Sequence, residues 1–324
     1  MTKKGWTSKL GVVLKVALGV AVFAWMVHSG KLHLAEVGKS LTNWPMVLAV
    51  LALDYTQVGL TTWRWRLLLN AQRIPLGGGR AWGLVMIGML FNMVIPGSVG
   101  GDLIKGYYLT RAAPDRKSQA AISVLVDRVA GLVGLLLLGT VMAAVNFHET
   151  MRNASTQQLG ALTAALFVAG IAGLYVPVLA GNRIARWQAV PARLREIFAG
   201  LDDYRKQVWV LPSAILLSVL SQALACGTYY LAFVAGGGAG MPLGQFLLIV
   251  PLGLVITAIP VSPGGVGVGQ AGFFALFRIV APAYAAVGTD SFTVYQVLML
   301  LVCLSGVFWY VPYRHPEEAA QASA

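Results

Sequence analysis

The sequence predicts an all-α polytopic membrane protein with about six full spans plus two opposed re-entrant helical hairpins, about eight transmembrane elements arranged as an inverted repeat. Three observations carry that expectation. Of 324 residues, 57% are hydrophobic and only 11% charged, with a mean hydropathy of +0.72, whereas a soluble domain carries about a quarter charged residues. Apolar runs long enough to cross ~30 Å of hydrocarbon recur along the chain. Two further apolar regions are broken by proline and glycine in nearly the same pattern.

The continuous runs lie at about 10–28, 44–66, 120–145, 159–179, 210–235 and 292–312. The first follows Lys3, Lys4 and Lys9 and looks like a secretory signal. It is longer than a signal h-region and no A-x-A site follows, so an uncleaved first span is expected. The broken regions, 81–112 and 243–281, contain NMVIPGSVGGDLIKG and ITAIPVSPGGVGVGQAG. Proline removes a backbone donor and paired glycines favour turns, which makes Pro96, Pro260 and Pro263 the expected hairpin formers. Ile95–Gly101 and Ile259–Gly265 share I-P-x-S-x-G-G and lie 164 residues apart, about half the chain. Interrupted segments at matching positions of two halves point to a transporter binding site.

The formal charge of +12 and pI of about 9.9 allow a nucleic-acid or membrane-surface partner until the cations are sorted by segment. With a cytoplasmic N-terminus and both broken regions returning to the side they entered, 17 of the 24 Lys and Arg, Arg64 among them, fall in cytoplasmic segments. Only Lys31, Lys39 and Arg152 fall outside, and Lys15, Lys105, Arg128 and Arg278 are embedded or ambiguous. If the first broken region crossed fully, the split would be 8 inside against 12 outside. The positive-inside rule therefore favours hairpins entering from opposite faces, with both termini cytoplasmic in a bacterial inner membrane. The charge follows sidedness and forms no basic aromatic domain, so nucleic acid is not an expected partner.

Residues 1–313 read as one membrane domain with repeat halves at about 1–179 and 210–313, followed by a disordered tail, 314–324. The linker 180–208 carries Leu194, Ile197, Phe198, Leu201 and Tyr204 at helical spacing with basic residues on its other faces. That pattern suits an amphipathic helix lying on the inner leaflet or an ordinary cytoplasmic linker helix.

Ionisable groups in apolar segments are costly and mark candidate sites. Asp54 lies midway along the second run and is either a hydrogen-bonded interior acid or a group for coupling or headgroup binding. Asp102 and Lys105 share a face if a helix restarts after the first Gly-Gly pair, so they either pair locally or reach other elements. Asp127 and Arg128 point about 100° apart on a helix and need separate partners. The pairs to expect are Asp127 with Lys105, and Arg128 with Asp102 or Asp54, unless Arg128 snorkels to the interface. Ser98, Gly100 and Gly101 in the first motif, and Ser262, Gly264 and Gly265 in the second, offer hydroxyl and backbone donors to an anionic oxygen. Alternatively the glycines only permit the turns, and Gly97/Gly101 and Gly265/Gly269 only let helices approach. Asn92 and Gln270 flank the two motifs as polar candidates. Cys226 and Cys303 lie in apolar runs and read as packed thiols. Gly267–Gly272 fits G-x-G-x-x-G without a strand or βαβ context, and the four His have no metal-ligand spacing. No catalytic signature, metal or cofactor is expected.

RWRLLL (Arg64–Leu69), NMVIPGSVGGDLIKGYYLTR (Asn92–Arg111), DRVAGL (Asp127–Leu132) and IPVSPGGVGVGQAG (Ile259–Gly272) occur in this order over almost the whole chain. Together they resemble the lysylphosphatidylglycerol synthase transmembrane family, flippase-like proteins that include the membrane part of multiple peptide resistance factors. The resemblance implies movement of lipid between leaflets without an aminoacyl-transferase domain. Two departures bear on the cargo: Lys105 stands where the family commonly has Arg, and Gly269–Gln270 where it commonly has Arg-Glu. The expected function is a flippase for an anionic or phosphate-linked lipid, such as a phospholipid, a polyprenyl-phosphate or a hopanoid-type lipid. Transport would be passive or ion-coupled, with Asp54 or Asp102 as proton carrier. The alternative is a scaffold or accessory subunit, as a homo-oligomer or with an enzyme of lipid, hopanoid or envelope-glycan synthesis.

Overall fold

The computed structural model describes residues 20–94, 100–184, 191–258 and 262–314, and every regular element among them is helical. In chain order these are α1 (20–28), α2 (Leu34–Leu41), α3 (Trp44–Ala71), α4 (Gly78–Val94), α5 (Gly100–Ala112), α6 (Lys117–Val145), α7 (Phe147–Thr150) and α8 (Ala154–Ile184). They continue as α9 (Ala192–Arg205), α10 (Val210–Ala235), α11 (Leu243–Ala258), α12 (Val268–Val280), α13 (Ala285–Ser305) and α14 (Val307–Arg314). Among the described residues five helical stretches, built on α3, α6, α8, α10 and α13, are long and apolar enough to cross a membrane. The span expected at 10–28 falls largely outside the described residues, as do the tail from 315, Pro96, Ser98 and Pro260.

Each broken region forms two helices, as its Pro and Gly content predicts. At ~1.5 Å per residue, α4, α5, α11 and α12 are ~20–25 Å long, each short of a full crossing. α4 packs on α5, α11 packs on α12, and α4 also touches the Pro263–Gly265 turn that precedes α12, so the two broken regions meet. Gly101 makes the first pairing tight. A Cβ there would run into the Gly88 carbonyl and the Asn92 side chain, so only glycine lets the two backbones approach.

Burial sorts the spans. Two-thirds of the apolar window in α6 is buried (67%), against 17% in α8, so α6 is central and α8 peripheral. α3 starts with Asn43 accepting from the Met46 N–H at 3.3 Å and Pro45 in the first turn, then packs against α10, α6, α4 and α13. An aromatic cluster holds the second helix pair: Tyr229 of α10 lies 4.9 Å from Phe273 of α12, and Phe273 lies 4.4 Å from Phe292 of α13, centroid to centroid.

The linker helix differs from the expectation of a helix lying on lipid. On α9, Phe198, Leu201 and Tyr204 turn inward, packing with α6 and α8 and with Leu68 and Ala71 of α3. Gln72 Nε2 donates to the Gly200 carbonyl at 2.8 Å, and the Tyr204 hydroxyl donates to the Leu68 carbonyl at 3.3 Å. The periodicity was real, but the apolar stripe is buried against protein, and Arg195, Arg205 and Lys206 stay exposed. Nothing is described of the Leu194 and Ile197 side chains.

Candidate functional site

Three helices converge on one carboxylate. Asp127, in the central helix α6, accepts from Arg64 Nε of α3 at 2.8 Å on Oδ1 and from Lys105 Nζ of α5 at 3.1 Å on Oδ2. All three are buried, with exposures of 6% for Arg64, 4% for Lys105 and 5% for Asp127. Arg64 Nη1 also donates to Ser218 Oγ of α10 at 2.9 Å, and that hydroxyl donates onward to the Ala214 carbonyl. Lys105 Nζ lies 4.0 Å from the centre of the Trp65 ring, so the ammonium is held by a carboxylate on one side and a π-face on the other. Charges this deep are tolerated only when paired and hydrogen-bonded. Two cations on one anion leave the cluster formally positive.

Arg128, the next residue on α6, points elsewhere and donates from Nη1 to Asp102 Oδ2 at 2.6 Å. This pair is more open, with side chains 36% and 24% exposed. Asp102 stands in the first turn of α5, where the helix dipole favours a carboxylate. Both expected cross-element pairs form, and Asp102 and Lys105 each reach across to α6, to Arg128 and Asp127, instead of pairing locally.

A cavity of about 520 Å³ is lined by Arg64, Asn92, Asp102, Lys105, Asp127 and Arg128, so three cations face two carboxylates across it. Beside it, between α5 and α6, runs a groove of about 370 Å³ lined mainly by apolar groups such as Leu103, Tyr107, Val124 and Leu125. Asp102 and Arg128 line both spaces. A third space, about 260 Å³, opens where the two broken regions meet. Asn92 and Met89 line it as well as the charged cavity, and Thr257, Gly264, Tyr295 and Gln296 complete it.

The two motifs behave differently. In the first, Asn92 Oδ1 accepts from the Gly101 N–H at 2.9 Å, and Gly100 begins α5. In the second, Gln270 is fully buried and its amide is committed: Oε1 accepts from the Gly267 N–H at 2.8 Å and Nε2 donates to Gln296 Oε1 at 2.6 Å. Gln296 Nε2 then donates to the Gly264 carbonyl at 2.9 Å. The turn that this relay holds starts at Pro263 and takes φ of +56° at Gly264, +72° at Gly265 and +79° at Gly267. Such angles suit glycine. Ser262 is buried, and its Oγ has no hydrogen-bond partner among the described residues.

Asp54 stands apart. It is fully buried, and neither carboxylate oxygen has a hydrogen-bond partner among the described residues. The neighbouring Thr228 hydroxyl donates to the Ala225 carbonyl at 2.8 Å, and Tyr295 and Cys303 also lie near the Asp54 carboxyl. It lies ten residues before Arg64, or ~15 Å along α3. The Asp54–Arg128 pairing is therefore replaced by Asp102–Arg128.

Sequence reasoning missed two contributors, Arg64 and Ser218, and a buried acid away from the site, Asp290. Arg64 was assigned to the cytoplasmic charge count, but it lies seven residues inside the end of α3 and is buried; the signal was its place inside the apolar run 44–66. Ser218 carried no signal within its apolar span. Asp290 accepts from the His33 backbone N–H at 2.8 Å and lies 3.1 Å from His33 Nδ1; the last span was expected to start at 292, which left Asp290 in a loop.

Residues 12–306 match the family described as lysylphosphatidylglycerol synthase TM region. Two proteins of Methanothermobacter thermautotrophicus, each named UPF0104 membrane protein, are similar to the chain. One is 26% identical over 270 residues, covering 75% of this chain and 78% of the relative. The other is 24% identical over 309 residues, covering 86% and 84%. With its apolar spans and this match, the protein is a multi-pass membrane protein that belongs to the lysylphosphatidylglycerol synthase TM region family.

Proposed function

We propose that the protein moves an anionic or phosphate-linked lipid between the leaflets of a bacterial inner membrane, with its headgroup passing through the charged cavity. The observation that supports this best is the shared wall: Asp102 and Arg128 border a cation-rich cavity on one side and an apolar groove on the other. An amphiphile has the same division, with a headgroup for the cavity and an acyl chain for the α5–α6 groove.

In this reading the two ion pairs have separate tasks. Arg64, Asp127 and Lys105 are buried and mutually satisfied, so they stay fixed and supply a positive field. The half-exposed Arg128 exchanges its carboxylate partner for a phosphate, which its planar fork binds through two parallel hydrogen bonds. One anion replaces another, so the guanidinium is not left bare during the exchange. Gln270 serves to hold the second turn, and Asn92 to tie the start of α5 to α4. Asp54 is assigned to ion coupling, because a buried carboxyl with no charged partner among the described residues gains most from taking up a proton or cation.

The broken regions are read as re-entrant hairpins entering from opposite faces, with the N-terminus cytoplasmic. With Arg64 buried inside α3, 16 cytoplasmic cations stand against 3 outside, still a strong inside bias. Leaflet translocation of labelled lipids in proteoliposomes tests the reading. Wild-type protein should exceed protein-free vesicles for at least one anionic, aminoacylated, polyprenyl-phosphate or hopanoid cargo. Equality for all of them would sink transport and leave a scaffold.

A further inference from the structure

A second cationic recess lies away from the cavity described above. Its volume is about 520 Å³, and Trp25, Lys31, Ala271, Phe274 and Arg278 line it together with smaller apolar groups. Lys31 Nζ lies 3.6 Å from the centre of the Trp25 ring and 5.6 Å from that of Phe274, and Arg278 Cζ lies 5.9 Å from Phe274. No acidic residue is among the described residues that line it. Neither cation is among those sorted to the cytoplasmic side: Lys31 falls outside, and Arg278 is embedded or ambiguous.

Its position is fixed by α3. Met26, which lines the recess, packs in one cluster with Met46, Val47 and Val50 from the first part of α3. Val50 and Arg64 are fourteen residues apart on that helix, ~21 Å, so the recess lies toward the opposite end of the bundle from the Arg64–Asp127 pair. It also repeats a feature of the first groove. Tyr107 and Thr110 line the groove on α5, and the residues 164 positions later, Ala271 and Phe274, line this one on α12.

We propose that Lys31 and Arg278 form a second anionic-headgroup site, which takes the phosphodiester of a phospholipid in the leaflet opposite Arg128 while its acyl chain lies along Ala271 and Phe274. Two cations with no carboxylate beside them among the described lining residues supply the charge, Trp25 sets the depth of an interfacial ring, and the apolar wall of α12 fits a chain. Binding here does not require transport; the site's role as the far-leaflet station rests on the transport reading above.

Tryptophan quenching tests it on the full chain in phosphatidylcholine vesicles. The Trp25 signal, taken as the difference from Trp25→Phe, should be quenched more by brominated phosphatidylglycerol than by brominated phosphatidylcholine at equal mole fraction. Each basic residue at a membrane surface contributes about fivefold to holding an anionic lipid, so Lys31→Gln with Arg278→Gln should lower the preference about thirtyfold. Lys31→Arg should keep it, as should Arg128→Gln, which touches only the first site. Equal quenching by the two lipids in the wild type, or a preference that survives the double substitution, would overturn the proposal. Displacement by inorganic phosphate would also overturn it, assigning the recess to a free anion. Because the readout is binding, a protein that binds here and moves no lipid keeps this site and removes transport alone.

Discussion

Asp127 serves two buried cations at once, so its replacement strands more buried charge than that of Asp102 or of the exposed Asp202 pairs. Asp127→Asn would leave Arg64 and Lys105 buried with no counter-charge, and losing one partner of a buried ionic group costs about 3–5 kcal/mol. Asp102→Asn removes an acid whose pair is partly exposed, so its cost should stay below about 1 kcal/mol. Thermal unfolding in detergent should therefore show a large drop for the first variant and a small one for the second; equal drops would mean that the two pairs are not divided into a fixed and a mobile one. At this scale the sequence was partly legible. Asp127 with Lys105, and Arg128 with Asp102, follow from the rule that intramembrane charges seek partners on other helices. Arg64 was hidden because a cation near the end of a span reads equally well as an interfacial one. Only the length of α3 past it places it inside.

The turn before α12 is held by side chains instead of by regular structure. Gln296 donates to the Gly264 carbonyl and accepts from Gln270, so Gln296→Leu leaves that carbonyl and the Gln270 amide without these partners at a cost of about 1–3 kcal/mol. The turn should loosen, and a thiol in Ser262→Cys should react with maleimide faster in the Gln296→Leu background; unchanged reactivity would show that the relay does not hold the turn. α9 has a pH dependence of its own. A hydrogen bond from Lys206, with Arg205 beside it, holds the Asp202 carboxyl below the usual carboxylate range. A depressed value means that the ion pairs stabilise the last turn of α9 above about pH 4 and are lost as pH falls further. Amide exchange at 202–206, corrected for intrinsic rates, should rise across that window, by a small factor because solvent screens these groups. Breaks at Pro and Gly predicted paired short helices, and periodicity predicted α9. What periodicity does not reveal is the medium that covers an apolar face, which is why Leu201 and Tyr204 could be read against lipid and in fact meet α3, α6 and α8.

The whole molecule places its charged cavity where α3, α4, α5, α6 and α10 come together, beside the space between the two broken regions, with an apolar groove next to it between α5 and α6. Composition and span length made the membrane bundle legible, and four ordered motifs made the family legible. Cavity shape was not legible, because it depends on which helices pack together, and a one-dimensional pattern does not order six spans around a site. One guanidinium, that of Arg128, borders both the charged cavity and the apolar groove. Charge-assisted hydrogen bonds contribute about 1.5–3 kcal/mol, roughly ten- to hundredfold in rate if they are made where the headgroup passes. The direct measurement is the translocation rate of a labelled anionic phospholipid in proteoliposomes containing wild type, Arg128→Gln or Arg128→Lys at equal protein density. A lipid path through this cavity requires Arg128→Gln to fall at least about tenfold toward protein-free vesicles, Arg128→Lys to retain a part of the activity, and all three to unfold at similar temperatures. Wild-type transport with an undiminished rate in Arg128→Gln would contradict it.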